Sequence, residues 1–354
     1  SPLTAKQIWD WTKLEADVKL ETVLKDETKS PRQILGCHPR FVLIVAPFVK
    51  QFSGVLKKAW NTEHDVVYAP GKYANVLSDC LSRDEFTHDA NIDFKNYDGN
   101  QCSIMAKKEC EIMNRYGAPQ AMKQLLDGQL VLHGVSRLGL IFEAEYVRVS
   151  GVPMTTCNNT MWTGMVGKYA LCKGQKKRID ELQMKCLVGG DDSCLRYNGE
   201  RVDIAYWCRK IGLPAEACHV RGKHCLEFLG CRLLSSTIGM QFTMSPGRMM
   251  AKLAHTIRAK DANEAKSIAK GAAMSMYEGT SNCPPSRAYL DRILKLCGNV
   301  VEKRPKDEPW KMLVSYAGEP TMQGWAELFD IYGWTSSLQH CWYEELAAVK
   351  ELGV

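Results

Sequence analysis

Short apolar runs bounded by turn residues alternate with longer amphipathic stretches along the chain. Cys186-Leu187-Val188, then Gly190-Asp191-Asp192, then Ser193-Cys194-Leu195 read as strand, tight turn and strand. Leu226 to Leu233 and Met240-Gln241-Phe242, joined by the small polar segment Ser235 to Gly239, predict a second hairpin. Phe41 to Phe48 is a short apolar run and reads as a buried strand. Gln101 to His133 is Met-rich and helical in pattern. Arg201 to Ile211 predicts an amphipathic helix with Val202, Ile204, Ala205, Trp207 and Cys208 on its apolar side, stopped by Gly212-Leu213-Pro214. Beyond the second hairpin the pattern turns helical. Asp261-Ala262-Asn263-Glu264 is a capping box opening a helix through Met276, and Pro284-Pro285-Ser286 opens another through Leu296. A Trp-rich tail from Trp325 to Leu352 follows Glu319-Pro320. The alternation predicts an α+β fold.

Composition adds modest constraints. With 354 residues, 45% hydrophobic and 24% charged, the chain can bury a large core of two or three subdomains without disulfides. Its net charge of +6, from 46 basic and 40 acidic residues, permits nucleic-acid binding without requiring it. Fifteen cysteines are scattered without paired spacing, and reduced thiols buried as small apolar groups are expected. The sites Cys37-His38, Cys218-His219, His224-Cys225 with Cys231, and His340-Cys341 match no standard zinc spacing. No uninterrupted apolar run is long enough to cross a bilayer, so no transmembrane segment is expected, and membrane attachment would come from other segments or partners. The sequence opens at Ser1 without an initiator Met, as a processed product or a piece of a larger protein would.

Three polar segments carry the candidate chemistry. Ile92-Asp93-Phe94-Lys95-Asn96-Tyr97-Asp98-Gly99 presents a carboxylate at a strand end and another five residues on. Val149-Ser150-Gly151 leads through Thr155 to Asn158-Asn159-Thr160. Gly190-Asp191-Asp192 places adjacent carboxylates at a hairpin tip, where like charges disfavour folding but suit divalent cations. Each segment has a bland reading alone: a strand entering a capped helix, an ordinary helix N-terminus, a surface turn. In order they form Asp-x4-Asp, Ser-Gly-x3-Thr-x3-Asn and Gly-Asp-Asp, and this succession resembles motifs A, B and C of the RNA-dependent RNA polymerases of positive-strand RNA viruses.

The resemblance extends outward. Leu24 to Ile34, with Lys25, Lys29 and Arg32, followed by His38-Pro39-Arg40-Phe41, resembles the basic fingertip motif F, and its pattern is most similar to tombusvirus, nodavirus and flavivirus enzymes. Arg221-Gly222-Lys223-His224 occupies the place of motif D, and the hairpin after Leu226 resembles motif E, the primer grip.

The resemblance implies a right hand around an antiparallel palm sheet. Residues 1–85 would be fingers with the fingertip, 86–100 palm motif A, 101–148 a fingers insertion, 149–235 palm motifs B to E, and 236–354 a small helical thumb. It implies template-directed RNA synthesis from NTPs in viral genome replication, with two Mg²⁺ or Mn²⁺ ions held by Asp93, Asp191 and, less directly, Asp192. Asp98, Ser150 and Asn159 would read the ribose 2′-hydroxyl, with Thr155 supporting their loop. Lys25, Lys29, Arg32 and Arg40, the arginines on an extended ribbon, would contact NTP phosphates or RNA. Lys223 would donate a proton to pyrophosphate, with Arg221 and His224 as alternative occupants of that role. Implied partners are template and primer or nascent RNA, NTPs and other replicase proteins, at membrane-associated complexes in the host cytoplasm. A reverse transcriptase and a non-catalytic RNA-binding replicase scaffold are the alternative readings.

Overall fold

The computed structural model describes residues 2–18, 33–253, 259–303 and 312–352. These form two units, one from 2–18, 33–68 and 92–218, the other from 69–91 and the described residues after 218. Helices and sheets mix in both, as expected of an α+β chain.

Most of a five-stranded sheet lies in the first unit. Its order is Ala215–Val220, His88–Phe94, Asp192–Tyr197, Met184–Gly189 and Val66–Tyr68. Met184–Gly189 and Asp192–Tyr197 are antiparallel, whereas Val66–Tyr68 runs parallel to Met184–Gly189, so the sheet is mixed. Met184–Gly189 is buried along its whole length, which explains why Cys186-Leu187-Val188 reads as a continuous apolar run rather than an alternation. The helix Thr155–Gln175 packs on this hairpin.

A second sheet in this unit has the order Gln33–Cys37, Leu14–Val18, Val131–Ser136, Ile141–Glu145. Val131–Ser136 overturns the expectation of helix through His133. The helices here are Ser103–Arg115 and Gln120–Gly128, and the chain then pairs with both neighbouring strands instead.

The expected strand at Phe41–Phe48 is also corrected. It lies inside the helix Pro39–Ala59, which Pro39 opens at a position needing no N–H donor. Phe41, Val45, Val49 and Phe52 recur at helical spacing and are buried among Met113, Met122, Leu125, Met154, Cys157 and Met161. Burying each such side chain contributes roughly 1.5–3 kcal/mol, enough to override the local strand-like run. By length and composition alone Pro39–Ala59 could cross a membrane, contrary to the reading from uninterrupted runs. Core helices pass the same test, and this one has its apolar face in the core.

The second unit contains the predicted hairpin, Cys231–Ser236 paired antiparallel with Gly239–Met244, with Glu227–Phe228 beside it. Five helices follow in the described chain: Pro246–Leu253, Ala262–Met276, Pro284–Cys297, Met322–Tyr332 and Ser336–Ala348. Asp261 caps the second by accepting from Glu264 N at 2.8 Å, but the Glu264 carboxylate accepts from Lys260 N rather than from Asp261 N, so the reciprocal half of the expected capping box is shifted by one residue. Glu327 accepts from the Ser235 amide and hydroxyl, tying Met322–Tyr332 to the hairpin. All fifteen cysteines are free. Burial pushes the thiols of Cys186 and Cys231 up to about 12, so they stay protonated and behave as small apolar groups.

Candidate active site

Asp191 lies in the two-residue turn between Gly189 and Asp192, which pair across the hairpin. Gly190 has φ of +75°, and among the turn residues it alone is in the left-handed region, the pattern of a type II′ turn. Asp191 is exposed and Asp192 half-buried. Asp93 is on the adjacent strand of the sheet, exposed between buried Ile92 and Phe94, because side chains alternate across a strand.

The helix Thr155–Gln175 connects the other segments to this hairpin. Asn159 Nδ2 donates to Asp98 Oδ1 at 2.8 Å, and the next residue, Thr160, accepts from Gly190 N through Oγ1 at 2.8 Å. Two consecutive helical residues thus tie the Asp93–Asp98 segment and the Gly-Asp-Asp turn to one scaffold. Tyr97 Oη donates to Asn159 O and accepts from Thr163 Oγ1. Burial raises the Tyr97 phenol above its ordinary range, so it remains a neutral donor.

Thr155 Oγ1 donates to Val149 O, closing the turn that carries Ser150, itself exposed. That turn is pressed against another strand. A Cβ on Gly151 would lie 2.1 Å from the Leu35 carbonyl oxygen of Gln33–Cys37, closer than any side chain permits. Gly151→Ala is therefore expected to displace the turn or the strand and to destabilise the protein by about 1–3 kcal/mol. Chemical denaturation checks this; an unchanged midpoint would mean that the close approach yields freely.

Four residues that the sequence reading did not single out complete the cluster: Glu109, Arg148, Tyr97 and Thr160. Arg148 Nε donates to Asn159 Oδ1 at 2.9 Å, and its two terminal nitrogens donate to Glu109. Glu109 also accepts from Asn158 Nδ2 at 2.7 Å and Trp162 Nε1 at 2.6 Å. The ion-paired side chains are only 9% and 7% exposed. Burial disfavours the Arg148 charge, but Glu109 outweighs it and holds the guanidinium above its ordinary pKa. The fixed carboxylate and guanidinium leave Asn159 one orientation, oxygen toward Arg148 and amide toward Asp98. A signal for Glu109 exists in the sequence. It lies at i+4 from Met105 and i−4 from Met113, and all three are buried on one helical face. A carboxylate within such an apolar stripe requires a buried partner.

The basic residues are placed differently from expectation. Lys25, Lys29 and Arg32 lie outside the described residues. Arg40 is in the first turn of Pro39–Ala59, not on an extended ribbon, because Pro39 and the His38 cap begin the helix there. Its exposed guanidinium stacks over Trp11 at 5.2 Å. Lys223 belongs to the second unit, where its ammonium is bound by Glu85 and the Ser82 carbonyl. The neighbouring His224 Nε2 is 2.7 Å from Asp330 Oδ2. That contact holds the Asp330 carboxyl below the usual carboxylate range, while burial and Asp330 push the Cys225 thiol up.

Among the described residues, the three-residue group whose ligand atoms all lie within 4.8 Å of one another is His224, Cys225 and Asp330, not the three aspartates. Like charges on unneutralised carboxylates repel. The donor set of Asp93 and Asp191 is nonetheless hard oxygen, exposed and on adjacent structural segments, the chemistry that Mg²⁺ and Mn²⁺ select.

A family model described as RNA dependent RNA polymerase matches residues 12–258, more than half of the chain. No curated protein matches it. The match spans the sheet, the Asp93–Asp98 segment, the Ser150-Gly151 turn and the Gly-Asp-Asp hairpin. The chain therefore belongs to the viral RNA-dependent RNA polymerases of positive-strand RNA viruses, nucleotidyltransferases that bind RNA and NTPs.

Proposed function

We propose that this chain extends an RNA 3′-hydroxyl by a two-metal mechanism in which Asp93 and Asp191 are the principal metal-holding carboxylates and Asp192 a lesser one. The observation that carries the reading is the pair of adjacent contacts from one helix, Asn159 to Asp98 and Thr160 to Gly190. They bring the ribose-facing and metal-facing segments onto one rigid support, which positional catalysis of phosphoryl transfer requires. Two divalent ions, Mg²⁺ or Mn²⁺, would supply activation of the attacking hydroxyl and neutralisation of the leaving pyrophosphate. The protein's own task is orientation. Asp98, Asn159 and Ser150, with Thr155 bracing the turn, present donors and acceptors to the 2′-hydroxyl. Glu109 and Arg148 stop Asn159 from rotating.

On this reading the segments 86–100 and 149–235 are palm, 1–85 and 101–148 are fingers, and 236–354 are thumb. Lys25, Lys29, Arg32 and Arg40 serve NTP phosphates or RNA. Lys223 donates the proton to pyrophosphate once it leaves Glu85. Other replicase proteins complete the complex at host cytoplasmic membranes.

Primer extension on a homopolymeric RNA template, with NTP or dNTP and with or without divalent cation, tests the reading. NTP incorporation that requires the cation is expected, and a preference for dNTP would overturn the ribose assignment in favour of reverse transcription. Asn159→Ala is expected to narrow the NTP-to-dNTP ratio by at least about tenfold, because a site built to pair a hydroxyl loses its discrimination when the pairing group is removed. An unchanged ratio would take Asn159 out of the sugar site.

A further inference from the structure

His224, Cys225 and Asp330 are not used by the proposed reaction, yet the second unit brings them together from two elements. His224 and Cys225 lie in the single helical turn Lys223–Cys225, and Asp330 lies near the end of the helix Met322–Tyr332. His224 Nε2 is 2.7 Å from Asp330 Oδ2, and Cys225 Sγ is 3.9 Å from the same oxygen. The three donor atoms all lie within 4.8 Å of one another. Other contacts fix both elements. Arg232 and Asn91 donate to the Cys225 carbonyl, and Ser235 donates to Glu327 of the helix. Arg232 and Ser235 belong to one strand, Cys231–Ser236, so that strand holds both sides of the triangle without the help of the three donor atoms. Asp330 follows His224 by 106 positions, which is why no standard zinc spacing shows in the sequence.

We propose that this triangle is a zinc site, with His224 Nε2, the Cys225 thiolate and one Asp330 oxygen as ligands and water in the fourth position. Tetrahedral zinc bonds of about 2.0–2.3 Å put ligand atoms about 3.3–3.6 Å apart. The observed separations of 2.7 and 3.9 Å straddle that spacing. Shifts of about 1 Å, mostly of the half-exposed Asp330 side chain, therefore seat the ion, which enters from solvent on that side. Donor type selects the metal. A thiolate and an imidazole suit zinc and not the hard cations magnesium and calcium. On binding, the Cys225 thiol releases its proton to solvent, and neutral His224 gives up its contact with Asp330 for a bond to the metal. Arg221 acts on both acidic ligands and opposes a cation, but the two anionic ligands outweigh its single charge. The nearby Lys223 and Arg232 are engaged by Glu85 and Glu227. Bound zinc ties the helix Met322–Tyr332 to the turn that carries Lys223.

Titration of the chelator-stripped full chain with Co²⁺ in reducing buffer containing Mg²⁺, followed by displacement with Zn²⁺, tests this. Cobalt reports sulfur ligation through a near-ultraviolet thiolate charge-transfer band and tetrahedral geometry through its visible bands. A saturable thiolate band is expected, removed by one equivalent of zinc, with a zinc dissociation constant on the order of 1 μM or below. Cys225→Ser is expected to abolish the band. Asp330→Asn, a near-isosteric change at a half-exposed position, is expected to weaken cobalt at least about tenfold. Cys218→Ser and Cys341→Ser alter the exposed thiols outside the triangle and are expected to leave the titration unchanged. A wild-type chain with no saturable thiolate band would overturn the proposal, and this holds even if a variant fails to fold. A band that survives Cys225→Ser, or an affinity that Asp330→Asn leaves unchanged, would overturn it as well. Metal held by Asp93 and Asp191 has oxygen ligands and gives no thiolate band, so failure here leaves the polymerase reading intact.

Discussion

Asp191→Ala is expected to lower nucleotide incorporation on the order of 10³-fold while changing RNA affinity little. The carboxylate is exposed at the tip of a two-residue turn whose geometry depends on Gly190 and on the Thr160 contact to the Gly190 amide, neither of which involves the Asp191 side chain. Removing it costs the fold little, since exposed substitutions usually stay within about 0.5 kcal/mol. It also relieves repulsion from Asp192. The catalytic cost is of another size. A metal-supported transition state loses several kcal/mol when a primary ligand goes, and about 4 kcal/mol is on the order of 10³ in rate. Asp192→Ala, on the half-buried neighbour, should cost less. Single-turnover extension gives the rate, filter binding gives the RNA affinity, and denaturation monitors the fold. Incorporation within a few-fold of wild type would end the two-metal assignment for Asp191.

Glu109→Ala carries the largest expected effect on stability. It would leave Arg148 charged in an almost closed environment, with Asn158 and Trp162 also deprived of their acceptor. Breaking one side of a buried ion pair typically costs about 3–5 kcal/mol. A companion variant separates folding from function. Glu109→Leu combined with Arg148→Met removes both charges, and replacing whole buried pairs by apolar groups is often close to neutral. Partial recovery of stability is expected, because Asn158 and Trp162 still lack partners. The double variant should fold better than Glu109→Ala and yet discriminate less well between NTP and dNTP, since Arg148 no longer fixes the Asn159 oxygen. A double variant with wild-type discrimination would show that Arg148 does not position Asn159. Equal stability of Glu109→Ala and wild type would mean that the pair is dispensable for folding.

The carboxylate hairpin, the Cys231 hairpin and the helices opened at Asp261 and Pro284 were all legible in the sequence. Their signals are local: glycine at a turn, a capping side chain, proline in a first helical turn, and apolar positions recurring at a fixed period. The expected order of acidic and polar segments led to the family that residues 12–258 match. The same local signals misled at Phe41–Phe48 and Val131–His133. In the first case helix-period burial over residues 41 to 52 outweighed a short β-like run, and in the second strand pairing outweighed helix propensity.

The chain's own sequence thus determined its elements, its turn chemistry and the candidate carboxylates, because each depends on residues a few positions apart. Only the tertiary structure decided that Glu109 meets Arg148, that Arg148 orients Asn159, that Thr160 braces the Gly190 amide, and that Leu35 excludes a side chain at Gly151. These contacts join residues up to more than a hundred positions apart in the chain. Their energies come from burial and from the loss of alternative partners, quantities that exist only after the core has closed.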